Sequence, residues 1–334
     1  MGQRANLILV ERGRPVVYYT HWRANTLPRD LFWGPRYALP FFRSQRLIED
    51  GTLLDEVWAE GGAVLDEDEK LLLLFGGEDE RYEVPLQRTY LRLARHTWDG
   101  WQVRWAHEGV AEIADHLGRP RTEVLTAKES RPWDPDLSPP DDKGSINSVG
   151  TIRSEDGRLR LYPLGHEGDG LLRAGPRLLH AAAATPCVDR LHFAEWTSSF
   201  PTDGFHIDVA RRTVGFWTGR DAPGAAARVA AAWPDWTVTW YRDRYEFQLA
   251  AVPALTFPAA DENDTLSRLR DTLLVENGQS GPEMLLDTVQ RLEGERFDVS
   301  GVNEYALRDA RLSLPREERV RLVDAAIDAV RGRQ

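Results

Sequence analysis

Apolar and polar positions along the first hundred residues predict the order strand, strand, helix, strand, strand, helix, strand. Ala5–Glu11 and Pro15–Thr20 are short apolar or β-branched runs, and Arg12-Gly13-Arg14 between them reads as a hairpin turn. After Gly34-Pro35, the residues Tyr37, Phe41, Phe42 and Leu47 fall at helical spacing. Gly62–Leu65 and Leu71–Phe75 flank the polar connection Asp66-Glu67-Asp68-Glu69-Lys70 and predict a second hairpin. Leu71–Phe75 is apolar throughout, as a central strand buried on both faces must be. Leu86, Tyr90, Leu93 and Ala94 mark a helix, and Trp101, Val103 and Trp105 alternate with Gln102 and Arg104 as one face of a half-buried strand.

The pattern then returns. Trp98-Asp99-Gly100-Trp101-Gln102-Val103-Arg104-Trp105 reappears 135 residues later as Trp233-Pro234-Asp235-Trp236-Thr237-Val238-Thr239-Trp240. Upstream, Gly61–Asp66 aligns with Asp203–Asp208, Gly34-Pro35-Arg36 with Gly175-Pro176-Arg177, and Gly13…Tyr18 with Gly157…Tyr162. Marks that keep their order over such a distance signify a tandem duplication. The expected fold is α+β, two copies of a ββαββαβ unit with a helical C-terminal extension. The repeated tryptophans read as core, with Trp101, Trp105, Trp236 and Trp240 expected to be inaccessible; a stacking platform for sugars or bases is the competing reading.

Composition sets the boundaries between these parts. Residues 1–117 hold the first copy, 144–257 the second and 258–334 the extension. Residues 118–143 carry five prolines and many charges and read as a linker, with Trp133 anchoring it. In the extension, Leu266, Leu269 and Leu273 mark one helix, and Met284, Leu285, Val289 and Leu292 a second. Tyr305, Leu307 and Ala310 mark a third, and Val320, Val323, Ile327 and Val330 an amphipathic last one expected to dock on the body.

Charge and special residues narrow the function classes. A net charge of −11 opposes non-specific attraction to nucleic acid and to anionic membranes. No apolar run is long enough to span a bilayer, and the N-terminus lacks a signal peptide's pattern. Cys187, the single cysteine, excludes an internal disulfide framework. A cytoplasmic protein without a cofactor is the expectation.

No motif names a chemistry. His107-Glu108-Gly109-Val110-Ala111 begins like a zincin, which needs a histidine where Ala111 stands. Glu112 and His116 fall four apart on a helix and read as a solvated ion pair. Removal of Met1 would expose Gly2, which carries no nucleophile, so an N-terminal-nucleophile mechanism is excluded. Nucleophile elbow, phosphate-binding loop and dinucleotide fingerprint are all absent.

The duplication supplies an internal comparison: polar residues present in one copy only are candidates for function. In the first copy these are His21, Trp22, Arg23 and Glu60, expected to converge in one pocket. Arg23 would be the anion-binding fork, Trp22 an apolar wall and His21 a hydrogen-bonding or proton-transfer group. In the second copy His166, His192, His206 and Asp208 are an alternative His-carboxylate metal set. His206 and Asp208, two apart on a strand, share a face. Asp208 aligns with Asp66, where a turn-capping role is the simpler reading.

The opening Met-Gly-Gln-Arg-Ala-Asn, the Tyr-Tyr-Thr-His-Trp stretch and Trp58-Ala59-Glu60-Gly61-Gly62 resemble a group of uncharacterised actinobacterial proteins that begin this way. The resemblance covers roughly the first 110 residues and implies no particular activity. The expected role is therefore binding, of a small anionic ligand or a protein partner. A hydrolase using the His/Arg/Glu pocket or the His-carboxylate set is the alternative.

Overall fold

Two sheets with the same strand order carry the molecule. The computed structural model describes residues 3–126, 135–197, 199–275, 281–294, 312 and 314–332. The chain divides into two compact units. Unit 1 takes in the described residues of 1–80, 86–126 and 262–334, and unit 2 those of 81–85 and 127–261.

In unit 1, β1 (Ala5–Glu11) and β2 (Arg14–Thr20) form a hairpin, followed by α1 (Leu27–Leu31), α2 (Pro35–Ser44) and the two-residue β3 (Arg46–Leu47). β4 (Gly61–Asp66) pairs parallel with β1 and antiparallel with β5 (Leu71–Phe75). α3 (Val84–Thr97) crosses to β6 (Gln102–Trp105), parallel with β5, and α4 (Val110–His116) follows. The sheet order is β3-β2-β1-β4-β5-β6. β4 and β5 are buried throughout, as the unbroken apolar run in Leu71–Phe75 requires.

Unit 2 repeats the plan. It runs through β7 (Ser148–Arg153), β8 (Leu159–Leu164), α5 (Gly168–Leu172), α6 (Arg177–Ala184) and β9 (Leu191–His192). Next come β10 (Asp203–Asp208), β11 (Thr213–Thr218), α7 (Ala225–Ala232), β12 (Thr237–Trp240), α8 (Glu246–Ala251) and β13 (Leu255–Thr256). Its main sheet has the order β12-β11-β10-β7-β8, which is the order of unit 1 without the short edge strand. Register agrees too: Ala5 faces Gly61 as Ser148 faces Asp203.

Details that no propensity dictates are also repeated. Gly34 and Gly175, both at positive φ, stand where a Cβ would collide with a backbone carbonyl oxygen, that of Thr97 in one copy and of Ala232 in the other. Just after those carbonyls, the indole N–H of Trp98 donates to the Leu31 carbonyl at 2.8 Å, and that of Trp233 to the Leu172 carbonyl at 2.7 Å. Asp66 Oδ1 accepts from the amides of Asp68 and Glu69, and Asp208 Oδ1 from that of Arg211. The chain is a tandem duplication of an α+β unit.

The tryptophan faces differ from expectation. Trp98 and Trp233, at the helix-to-strand turns, are the fully buried pair, and Trp105 is buried with them. Trp101, Trp236 and Trp240 are only half-buried. β6 and β12 are the outermost strands of their sheets, where side chains have neighbours on one flank only.

After β13 come α9 (Glu262–Leu274), α10 (Gly281–Gly294) and α11 (Arg316–Arg331). Leu266, Leu269 and Leu273 of α9, with Val323, Ala326, Ile327 and Val330 of α11, join the core of unit 1. The apolar stripe of α11 is thus spent on docking. Trp133 and the helix expected around Tyr305, Leu307 and Ala310 lie outside the described residues, as do Met1 and Gly2. Among the described residues, no helix is long and apolar enough to cross a membrane.

Candidate functional site

A cleft of about 890 Å³ opens at the β3 edge of unit 1, lined by Arg4, Tyr19, Arg46 through Asp50, Thr52 through Leu54, and Trp58. Its walls follow from the strand pairing. β3 pairs antiparallel with β2, so Tyr19 and Arg46 are direct cross-strand neighbours. The segment beyond β3 is pinned by Asn6, whose buried amide donates to the Leu54 carbonyl at 3.1 Å and accepts from the Leu54 amide at 2.9 Å. Asp55 Oδ1 accepts from the amides of Val57 and Trp58, forming a turn that presents Trp58 with half its surface exposed.

Arg4 is the hub. Its guanidinium lies 4.7 Å from the Trp58 ring centre, a cation–π contact. Its amide donates to Glu60 Oε2 at 2.8 Å, and its carbonyl accepts from the Glu60 amide at 2.9 Å. Tyr19 Oη is 2.6 Å from His21 Nδ1. Burial raises the Tyr19 pKa against the pull of Arg4, and burial with Arg4 lowers that of His21. Both groups are therefore neutral near pH 7, and the imidazole tautomer decides which of them donates. Held this way, Tyr19 and His21 offer hydrogen bonds rather than charge. The charged groups lining the cleft are Arg4, Arg46, Glu49 and Asp50. The Asp50 carboxylate accepts from the Thr52 amide, which lowers its pKa.

The four residues singled out in the first copy separate into two groups. His21 and Glu60 both neighbour Arg4, and the Trp22 ring meets His21 edge-on with centres 4.8 Å apart. Arg23 turns into the interior beside Asp30, at 3.7 Å, with both side chains almost fully buried. A guanidinium committed there cannot serve as the anion fork of an open cleft. The arginines that line the cleft are Arg4 and Arg46, and neither was singled out from the sequence. Arg4 lies in the opening hexapeptide and Trp58 in the Trp-Ala-Glu-Gly-Gly stretch, so the signal was present at the two ends that β1 and β4 bring together.

The second-copy histidines do not form one cluster. His166 is exposed on the loop before α5, and His192 Nδ1 is 2.9 Å from Thr256 Oγ1. His206 Nδ1 is 3.0 Å from Thr151 Oγ1, and burial pushes its pKa down to about 4. His206 and Asp208 do share a face, where they line a smaller cleft with Arg153 and Arg211. The Glu112–His116 pairing is replaced by others: Glu112 meets Arg104 at 3.2 Å, and His116 Nε2 lies 2.9 Å from Asp66 Oδ2.

Comparison of the chain with family models, with curated proteins and with solved structures finds no match.

Proposed function

We propose that unit 1 binds a small anionic ligand with a flat face in the cleft between Arg4, Arg46 and Trp58. The observation that carries this reading is the contrast between the copies. Strand register puts Asn147 at the place of Arg4, Pro163 at that of Tyr19 and Thr202 at that of Glu60. The backbone bond is the same in both, since the Thr202 amide donates to the Asn147 carbonyl as the Glu60 amide does to that of Arg4. The scaffold therefore keeps its geometry without the arginine, the tyrosine or the glutamate. Arg4 and Tyr19, with Arg46 and Trp58, put two cations, a neutral phenol and an exposed indole around an open cavity.

Chemically, Arg4 and Arg46 suit a phosphate or carboxylate, since guanidinium forks match both. The exposed part of Trp58 suits a ring, and Glu49 and Asp50 suit hydroxyl or amine donors. Cytoplasmic residence belongs to the same proposal. A thermal-shift screen with inorganic phosphate, citrate and adenosine 5′-monophosphate tests it. Wild type should gain stability from an anion that leaves Arg4→Gln and Arg46→Gln unmoved. Equal shifts in wild type and both variants, or none in any, would contradict it.

A further inference from the structure

We propose that the first-copy hairpin turn holds a divalent metal ion of the zinc class through Asp66, Glu69 and His116. One ligand atom from each of these residues lies within 4.8 Å of the other two. Asp66 comes from the end of β4, Glu69 from the turn that follows, and His116 from the last turn of α4. One carboxylate oxygen of Asp66 is occupied by the turn amides of Asp68 and Glu69. The other faces His116 Nε2 at 2.9 Å. Two donors bound at zinc distances of about 2.0–2.2 Å sit about 3–3.5 Å apart, so this pair needs little movement to share an ion. Glu69 is exposed and closes the set from the solvent side. The imidazole and two carboxylates form a donor set suited to Zn²⁺ or Mn²⁺, with water completing the coordination.

The second copy shows that the scaffold does not demand this set. Asp208 keeps the turn-capping role of Asp66. The pairing of β4 with β1, and of β10 with β7, puts Arg153 at the place of Val10, and the turn puts Arg211 at that of Glu69. The backbone bonds of Ala106 to Leu74 and of Tyr241 to Phe216 set the offset that puts Ala251 at the place of His116. Both arginines approach Asp208 Oδ2 at 3.9 Å, and Arg153 also donates to the Ala251 carbonyl at 3.0 Å. At one position of the fold, then, the second copy places two guanidinium cations around the capping aspartate. The first places a second carboxylate and an imidazole there. Lys70, the next residue along the turn, reaches over the Trp101 ring instead. A bound dication supplies in the first copy the positive charge that arginine supplies in the second.

Calorimetric titration of the untagged, chelator-treated chain with ZnCl₂ and MnCl₂ tests the site. Wild type should bind one ion at this site. Glu69→Gln and His116→Ala should each weaken binding at least about tenfold, since even outer-shell partners of ligands are worth that much. His192→Ala should leave binding unchanged. Should His116→Ala fail to fold, Glu69→Gln, an exposed turn substitution, decides alone. Absence of binding by either ion, or undiminished binding in either folded variant, overturns the proposal.

Discussion

The buried indole N–H of Trp217 donates to Gln248 Oε1 at 2.8 Å. At the same two positions unit 1 carries Phe75 and Ile113. A Cβ added at Gly62 would meet Phe75 and Ile113, and one added at Gly204 would meet Gln248 and Trp217. The two copies thus filled one core position differently, and each changed both partners. A polar indole buried in unit 2 requires an acceptor, and Gln248 provides it while also donating to the Phe205 carbonyl at 2.6 Å.

This pair makes a coupled prediction. Gln248→Ile should destabilise unit 2 by about 1–3 kcal/mol, because it strands the Trp217 N–H in the core. Trp217→Phe with Gln248→Ile, which reproduces the unit 1 pair, should recover part of that loss. Chemical denaturation of both single variants and the double variant measures the coupling. Strict additivity would show that the two positions do not act together.

Two buried groups of unit 2 should titrate against each other. Burial pushes Asp203 up to about 7, with Arg220 lowering it, Asp169 raising it, and the Ser148 hydroxyl and Gly168 amide lowering it. Between its ordinary value of about 4 and this one, the folded state holds a proton that the unfolded state has lost, so stability falls as pH rises. His206 has the reverse sign. It stays neutral in the fold from its ordinary value of about 6.5 down to about 4, so stability falls as pH drops. Each effect is on the order of 3 kcal/mol across its window. Relative to wild type, Asp203→Asn should lose stability on acidification from pH 6.5 to 4. His206→Val, which borrows the residue of the first copy, should gain it. Denaturation midpoints across that range check both, and profiles parallel to wild type would contradict the account.

Gly34 and Gly175 should be equally intolerant. Each combines positive φ with a backbone oxygen where a Cβ would go. Gly34→Ala and Gly175→Ala should each cost more than about 1 kcal/mol, against a gain expected where alanine fits. Thermal denaturation would show it. Tolerance at one position only would mean that the two turns are not equivalent.

The duplication was legible because its marks are rare residues with strict geometric duties. Tryptophans fill the helix-to-strand turns and glycines permit close backbone approach, and both survive divergence in place. The succession of strands and helices along the chain, and the two hairpins, followed from period and turn chemistry; the parallel β1–β4 and β5–β6 pairings did not. The short elements were not legible: β3 and β9 are two residues each, too brief for any periodicity. Of the cleft, only the neighbourhood was legible: His21 and Glu60 lie beside Arg4, but none of His21, Trp22, Arg23 and Glu60 is among the residues that line it. Arg23 misled because adjacency to His21 in the chain does not decide direction. Residues 21 to 23 leave β2 and enter a helical turn, which swings Arg23 toward Asp30. Arg46 escaped notice because only the β2–β3 pairing brings it opposite Tyr19.

The cleft of unit 1 is the centre of this account, and calorimetry tests it most directly. Adenosine 5′-monophosphate and inorganic phosphate would be titrated into wild type, Arg4→Gln, Arg46→Gln and Trp58→Ala. The account predicts saturable binding of the nucleotide, at least about tenfold weaker after loss of either arginine, since each charge-assisted hydrogen bond is worth about 1.5–3 kcal/mol. Trp58→Ala should weaken the nucleotide more than phosphate, which has no ring to stack. Heats indistinguishable from dilution for both probes, or affinities that none of the three substitutions changes, would contradict it.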